Sequence, residues 1–501
     1  MARASLRFHN VSFAYQIMTG DLFTNLTLHF RPGWTGVVGA NGAGKTTILR
    51  LAAGQVSPTR GSVEARGRMV LCAQGTGRPP AGLDRLLAAE CGRARRLRDV
   101  LGLAPDLARR WGVLSHGERR RAQIGLALWL EPDILALDEP DNHLDAAAAD
   151  LLARVLAGFK GIGLLISHNR ELLDRLCWQC LFVEPPRAVL RPGGYSRARL
   201  QADLEVKSLS GARERAERDI QRLNQEAQRR RADLARTERR RSKRGLAPKD
   251  SDAREKINRA RLSGRDAAAG RRLGRMAGRL NRARAELEDS PPVKAYRTGI
   301  ELPGRRSRRD LLFFLEAGSV DLGPGRRLVY PRLLARPADR IGLTGPNGSG
   351  KSSLLELIVS RLRAVREAAF YLPQELDAGA SGRIWEQVRG LPQAELGQVM
   401  TIVSRLGSRP GRLLESLRPS PGETRKLCLA LAVARRPEMI ILDEPTNHLD
   451  LPAIECLEDA LAGFPGGLLI ASHDRRFLDR LTDVRRRILN GSSGEYRLEA
   501  G

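Results

Sequence analysis

The stretch Gly39-Ala40-Asn41-Gly42-Ala43-Gly44-Lys45-Thr46 decides how the first half of the chain folds. Its glycines let a loop backbone curl so that successive N–H groups converge on one point. A lysine and a hydroxyl residue close the motif. The context agrees with a phosphate-binding loop. Trp34 to Gly39 reads as a short strand entering it, and Thr46 to Ala53 as a helix leaving it. The helix N-terminus adds a dipole that favours anions.

The same pattern returns 306 residues later as Gly345-Pro346-Asn347-Gly348-Ser349-Gly350-Lys351-Ser352. Arg340 to Gly345 and Ser352 to Leu362 supply the flanking strand and helix. Asp138-Glu139-Pro140 recurs as Asp443-Glu444-Pro445, Ser115 as Ser420, and His168 as His473, each 305 residues on. Offsets that agree to within one residue across four landmarks mark an internal duplication. Two sites are therefore expected, in which Lys45 and Lys351 reach the β and γ phosphates of a nucleotide. Thr46 and Ser352 each offer a hydroxyl to Mg²⁺, with Thr47 and Ser353 beside them. Ile134 to Leu137 and Met439 to Leu442 read as buried strands that end in paired carboxylates. Asp138 and Asp443 are placed to hold the metal, and Glu139 and Glu444 to act as general bases on water.

The 501 residues suffice for several domains. Lys and Arg number 85 against 57 Asp and Glu, a net charge of +28. That surplus favours a polyanionic partner such as nucleic acid. The six cysteines, Cys72, Cys91, Cys177, Cys180, Cys428 and Cys456, form no disulfide framework. The single C-x-x-C at Cys177 and Cys180 lacks the second pair a structural zinc site wants, so no zinc is expected. Met1 to Asn10 has no signal-peptide core, and no apolar run reaches the roughly 18 residues of a transmembrane helix. A cytoplasmic protein is expected.

Residues 199–294 belong to neither copy. Within them, residues 227–284 hold 21 basic and 6 acidic residues. The composition reads as helix, broken at Ser242 to Asp250 by Gly245 and Pro248. Two antiparallel helices with a basic tip are expected, joined by a thin seam that includes Ile220, Leu223, Ile257, Leu273, Met276 and Leu280. Arg239, Arg240, Arg241, Lys243, Arg244 and Lys249 are the expected RNA contacts, through phosphate charge. The domains divide as 1–198, 199–294 and 295–501.

Leu114-Ser115-His116-Gly117-Glu118 resembles the signature motif of ATP-binding cassette (ABC) proteins, and Ser420-Pro421-Gly422-Glu423 its second copy. Gln74 and Gln374 stand where that family has its Q-loop glutamine, a further metal ligand. His168 and His473 stand where it has its switch histidine. The resemblance implies an α/β fold of two P-loop ABC ATPase domains in tandem, each binding ATP and Mg²⁺ and hydrolysing ATP. It also implies that the halves close face to face. Each site would then combine one half's P-loop with the other half's signature: Lys45 with Ser420 and Gly422, Lys351 with Ser115 and Gly117. Tyr15 stands where the adenine-stacking aromatic is expected, and no aromatic stands near Asp321 and Leu322. His116 replaces the usual signature glycine, which points to the Lys351 site as the slower one. The first half reads Pro140-Asp141-Asn142-His143-Leu144-Asp145, the second Pro445-Thr446-Asn447-His448-Leu449-Asp450.

Two cassettes, a charged helical linker and Gly193-Gly194-Tyr195-Ser196 leading into it resemble the ABC-F subfamily. That resemblance implies a monomeric translation factor bound at the ribosomal E site. Its linker would touch rRNA and reach the P-site tRNA, in translation regulation or antibiotic-resistance ribosome protection. The alternative is the ATP-binding subunit of a membrane transporter, which would share every nucleotide motif but have no need of the basic linker. A repair or chromosome ATPase and a binding module with dead sites are more distant rivals.

Overall fold

The computed structural model describes residues 4–16, 20–142, 144–240, 274–285, 302, 304–364, 369–376, 378–408, 410–415, 419–434, 436–491 and 494–500. Its contacts gather Met1–Ala198 and Arg297–Gly501 into one compact unit and Arg199–Tyr296 into another.

The strands Ile134–Asp138 and Ile162–Ile166 are buried at every position, the pattern of a parallel sheet covered on both faces. They are the second and third strands of a six-stranded sheet. Its order is Met69–Cys72, Ile134–Asp138, Ile162–Ile166, Gly33–Val38, Cys177–Glu184, Arg187–Pro192. The first five strands run parallel and the last turns back antiparallel. A three-stranded antiparallel sheet packs beside it, with Ser5–Phe13 between Phe23–Phe30 and Arg60–Arg66.

The second half repeats this order strand for strand: Ala369–Leu372, Met439–Asp443, Gly467–Ala471, Arg340–Thr344, Val484–Asn490, Glu495–Ala500. Two further strands, Arg327–Tyr330 and Gly318–Asp321, extend its far edge. The duplication read in the sequence is thus a duplication of topology. Each half also carries a helical lobe, with a core of its own in the first half and one continuous with the sheet strands in the second. In the first, Leu83, Leu86 and Leu101 pack on Ala122 and Leu126 of the helix His116–Trp129. In the second, Trp385, Val399 and Val403 pack near Leu427 of the helix Pro421–Ala434.

The other unit is helical where it is described. A helix of 46 residues runs Tyr195–Arg240, about 70 Å at 1.5 Å per residue. Residues 274–285 are helical, with Met276 buried and Leu280 half-buried; Ile220 and Leu223 of the long helix are also half-buried. The expected break at 242–250 lies outside the described residues, as do Arg241, Lys243, Arg244, Lys249, Ile257 and Leu273. Arg239 and Arg240 end the long helix.

Candidate functional site

Ligand sites in open parallel sheets form beyond the carboxyl ends of the strands. Three adjacent strands end together here. Gly33–Val38 runs into the first phosphate loop, Ile134–Asp138 ends on Asp138 and Glu139, and Ile162–Ile166 leads to Ser167 and His168. The second half brings Gly345, Asp443, Glu444 and His473 together in the same way.

The loops are built for close approach. Gly44 has φ of 94°, and a Cβ there would lie 2.6 Å from the Phe23 ring. Gly350 repeats the angle, with Leu322 2.8 Å away. No side chain caps the helix Lys45–Ala52, so its first N–H groups face the loop. Lys45 Nζ donates to the Gly39 and Ala40 carbonyls at 2.8 and 3.1 Å, and Lys351 Nζ to those of Gly345 and Pro346 at 2.8 and 3.0 Å. Burial lowers both lysine pKa values, with nearby carboxylates partly offsetting it.

Thr46 Oγ1 donates to Asp138 at 2.9 Å. In the second half, Ser352 Oγ lies 3.5 Å from Gln374 Oε1, and both oxygens of Asp443 are buried without a protein hydrogen-bond partner. A hydroxyl, an amide oxygen and an orphaned carboxylate make an all-oxygen donor set of the kind that holds a hard divalent cation. Burial pushes Asp138 and Asp443 above the usual carboxylate range.

Glu139 and Glu444 both adopt left-handed backbone, φ 48° and 45°, a conformation side chains other than glycine rarely take. Their surroundings differ. Glu139 accepts from Gln74 at 2.6 Å and Asn142 at 2.8 Å, and lies 3.3 Å from His168 Nε2. Burial alone would push its carboxyl up, but the hydrogen bond and charge of His168, with Lys45, outweigh it and hold it below the ordinary value. Glu444 is 3% exposed, and burial raises it to about 7 despite Lys351. His473 lies between Lys351 Nζ at 3.1 Å and Asn347 Oδ1 at 2.9 Å, and burial beside that ammonium lowers its pKa to about 4.

Two arginines escaped the sequence reading. Arg120 and Arg425 stand one turn into the signature helices and are 4% and 3% exposed. Arg425 donates to the carbonyls of Gln374 at 2.6 Å, Asp443 at 3.1 Å and Glu444 at 2.9 Å. Arg120 donates to those of Ala73, Gln74 and Glu139 at 2.9, 2.9 and 3.2 Å. Each ties the helical lobe to the Q-loop and to the strained glutamate. The signal was their common place, five residues after Ser115 and Ser420.

The signature residues stand at helix starts. Ser115 and Glu118 close a reciprocal capping box at 2.7–3.2 Å, and Ser420 and Glu423 repeat it at 2.7–3.3 Å. The Ser115 hydrogen bonds hold Glu118 below its usual range.

The halves meet at their phosphate loops through residues the sequence showed but did not assign. Asp450 caps its own helix with one oxygen, 2.9 Å from Ala453 N. Its other oxygen accepts from Asn41 N in the first loop at 2.6 Å. Asp145 does the same in reverse, with Ala148 N at 2.9 Å and Asn347 N at 3.5 Å. Arg170 forms a buried two-pronged pair with Glu458 of the other half at 3.0 and 2.5 Å, and reaches Asp474 at 3.1 Å. A cavity of about 480 Å³ lies between Lys351, Ser352 and Glu444 on one side and Asn142, Asp145 and His168 on the other. Ser115 and Gly117 are not on its wall among the described residues; the reciprocal contacts seen at the loops come from the Asn-His-Leu-Asp segments.

The ABC transporter family profile matches residues 23–142 and 332–447, one stretch in each half. The tylosin resistance ATP-binding protein TlrC of Streptomyces fradiae is 30% identical, over 98% of this chain and 99% of its own length. This chain belongs to the ABC-F group of ATP-binding cassette ATPases. The ATP-binding protein Uup of Caulobacter vibrioides is also 30% identical, over 89% of this chain and 71% of its own. The ribosome protection protein VmlR of Bacillus subtilis is 27% identical, over 96% and 86%. A solved structure of RNase-L Inhibitor overlays 98% of this ABC-F chain and 90% of its own with a TM-score of 0.61 at 18% identity, a likeness of fold.

Proposed function

We propose that this ABC-F ATPase acts on the ribosome, with ATP closing the two halves and hydrolysis releasing them. Relatives that align across nearly the whole chain carry this reading: their names describe ribosome protection and tylosin resistance. A translational throttle protein from Mycobacterium tuberculosis, 29% identical over 92% of this chain, supports translation as the setting. The basic linker, net +15 over residues 227–284, supports a polyanionic partner. Among the described residues no helix is long and apolar enough to cross a membrane.

In this reading each site binds ATP with Mg²⁺. Thr46, Gln74 and Asp138 hold the metal in one site, and Ser352, Gln374 and Asp443 in the other. The metal would neutralise phosphate charge. Glu139 and Glu444 orient and deprotonate the attacking water. His168 and His473 sense the terminal phosphate, and closure brings each signature serine onto the opposite nucleotide. The protein works as a cytoplasmic monomer at the E site, its linker tip against rRNA and P-site tRNA.

The test is sedimentation of the Glu139→Gln/Glu444→Gln protein with lysate and ATP through sucrose. Co-migration with ribosomal particles, reversed by moderate salt, is the expected result. Recovery with membranes would refute it.

A further inference from the structure

The two nucleotide sites differ where the base should lie. In the first half, Tyr15 Oη is 2.8 Å from Thr47 Oγ1, just beyond the lysine of the loop, and the ring packs edge-on to Phe13. The equivalent stretch of the second half has no ring. Leu322 in that stretch packs against Gly350, as Leu22 and Phe23 pack against Gly44 in the first half.

Four residues on stands Arg326. It leaves the tight turn between Gly318–Asp321 and Arg327–Tyr330, closed by Leu322 N to Arg326 O at 3.0 Å and Arg326 N to Gly323 O at 2.9 Å. Its guanidinium lies over the Tyr496 ring, 5.6 Å from the centroid. One nitrogen donates to the Gly348 carbonyl of the phosphate loop and approaches Tyr496 Oη at 3.5 Å. Arg326 also lines the cavity that contains Lys351, Ser352 and Ser353.

A guanidinium is flat and delocalised, and it stacks on aromatic faces and on nucleobases. Here one face is backed by Tyr496 and the edge is tied to the phosphate loop. The guanidinium is thereby held beside the phosphate loop, on the wall of the cavity that contains Lys351. We propose that Arg326, backed by Tyr496, is the base-stacking wall of the Lys351 site, in place of the aromatic that serves the Lys45 site. The proposal rests on the reading of Lys351 as a nucleotide site.

Stacking and phosphate binding are separable. Binding of Mg-ATP and of Mg-tripolyphosphate is measured by calorimetry in a Lys45→Ala background, which leaves the second site. Arg326→Ala should weaken ATP roughly five-fold, the scale of one partly desolvated cation–π contact, and leave tripolyphosphate within two-fold. Arg326→Lys keeps the charge but not the plane and should lose nearly as much ATP affinity. Tyr496→Phe keeps the ring and should bind like the parent. Equal weakening of both ligands would mean that Arg326 only shapes the loop. Unchanged ATP binding in Arg326→Ala would also overturn the proposal. If the parent background binds neither ligand, the nucleotide-site reading itself fails.

Discussion

Replacing Arg425 with Met tests how the signature lobe is wired to Glu444, the proposed base. Arg425 is 3% exposed and serves three backbone carbonyls at 2.6–3.1 Å. Met fills most of the volume but satisfies none of them. A buried carbonyl left unpaired costs about 1–3 kcal/mol. Water entering from the neighbouring cleft would recover part, so the net loss should be about 3–4 kcal/mol. That is a large share of the roughly 5–15 kcal/mol that holds a typical domain. Trp385, the single tryptophan of the second half, is buried in the lobe and reports the transition in urea. Turnover should fall further than stability accounts for. Glu444 holds φ of 45° with its carbonyl fastened by Arg425. Released, its backbone can relax towards right-handed values, a gain on the order of 1–2 kcal/mol that moves the carboxylate away from its water. In a Glu139→Gln background, where the Lys351 site does the work, kcat should drop about ten-fold or more, the rate equivalent of that relaxation. Arg425→Lys offers one point of charge to three acceptors and should regain some stability with little turnover. A Met variant within about 0.5 kcal/mol of the parent, with undiminished kcat, would refute the reasoning.

Other perturbations follow from the same geometry. In the Glu139→Gln protein, ATPase should rise as pH passes through about 7, because Glu444 must lose its proton to act as a base; the Glu444→Gln protein, relying on Glu139, should show no such step. The stability linkage runs the other way. A carboxyl raised from 4.5 to about 7 on folding favours the folded state at low pH, so its contribution is lost as pH climbs through that window, readable in nucleotide-free melts between pH 5 and 8. Asp450→Asn should weaken ATP-driven closure more than Asp145→Asn, since their contacts to the opposite loops are 2.6 and 3.5 Å; crosslinking across the halves would report it. Alkylation mapped by mass spectrometry should label Cys91 first. It is exposed and backbone N–H groups lower its pKa, whereas burial pushes Cys180 to about 12 and Cys177 higher still.

Much of the site was legible because it is local. A glycine-rich loop must sit between a strand and a helix, and carboxylates at the end of a buried strand must face the cleft. These are relations among residues within about ten positions of each other. What was missed is non-local. Asn41 and Asp450 are 409 residues apart, and only the packing of one half on the other reveals that a helix-capping carboxylate has a second oxygen to give. Arg120 looked like one of many surface arginines in a strongly basic chain; its burial follows from the Q-loop folding over the helical lobe. Cys177 and Cys180 would face opposite ways in a regular strand. A register shift opposite Trp34 and Thr35 turns both thiols towards Gly36, where they pack without pairing.

The sequence singled out His116 as the departure that slows the Lys351 site. The structure adds a difference between the surroundings of Glu139 and Glu444. At the Lys45 site, Glu139 is ionised and held by three side chains, two of them from the Q-loop and the Asn-His-Leu-Asp segment. For Glu139 to act as the proposed base, Gln74 and Asn142 must loosen before water can take their place. At the Lys351 site, Glu444 has one oxygen buried without a partner and a pKa near neutrality. His473 Nε2 lies 3.4 Å from that oxygen, and to act as a base the carboxyl must first lose its proton. With Glu139 held below its ordinary range and Glu444 raised to about 7, changing pH should alter the ratio of turnover at the two sites, measured in the two single Glu→Gln proteins. Two copies of one motif set need not fire together.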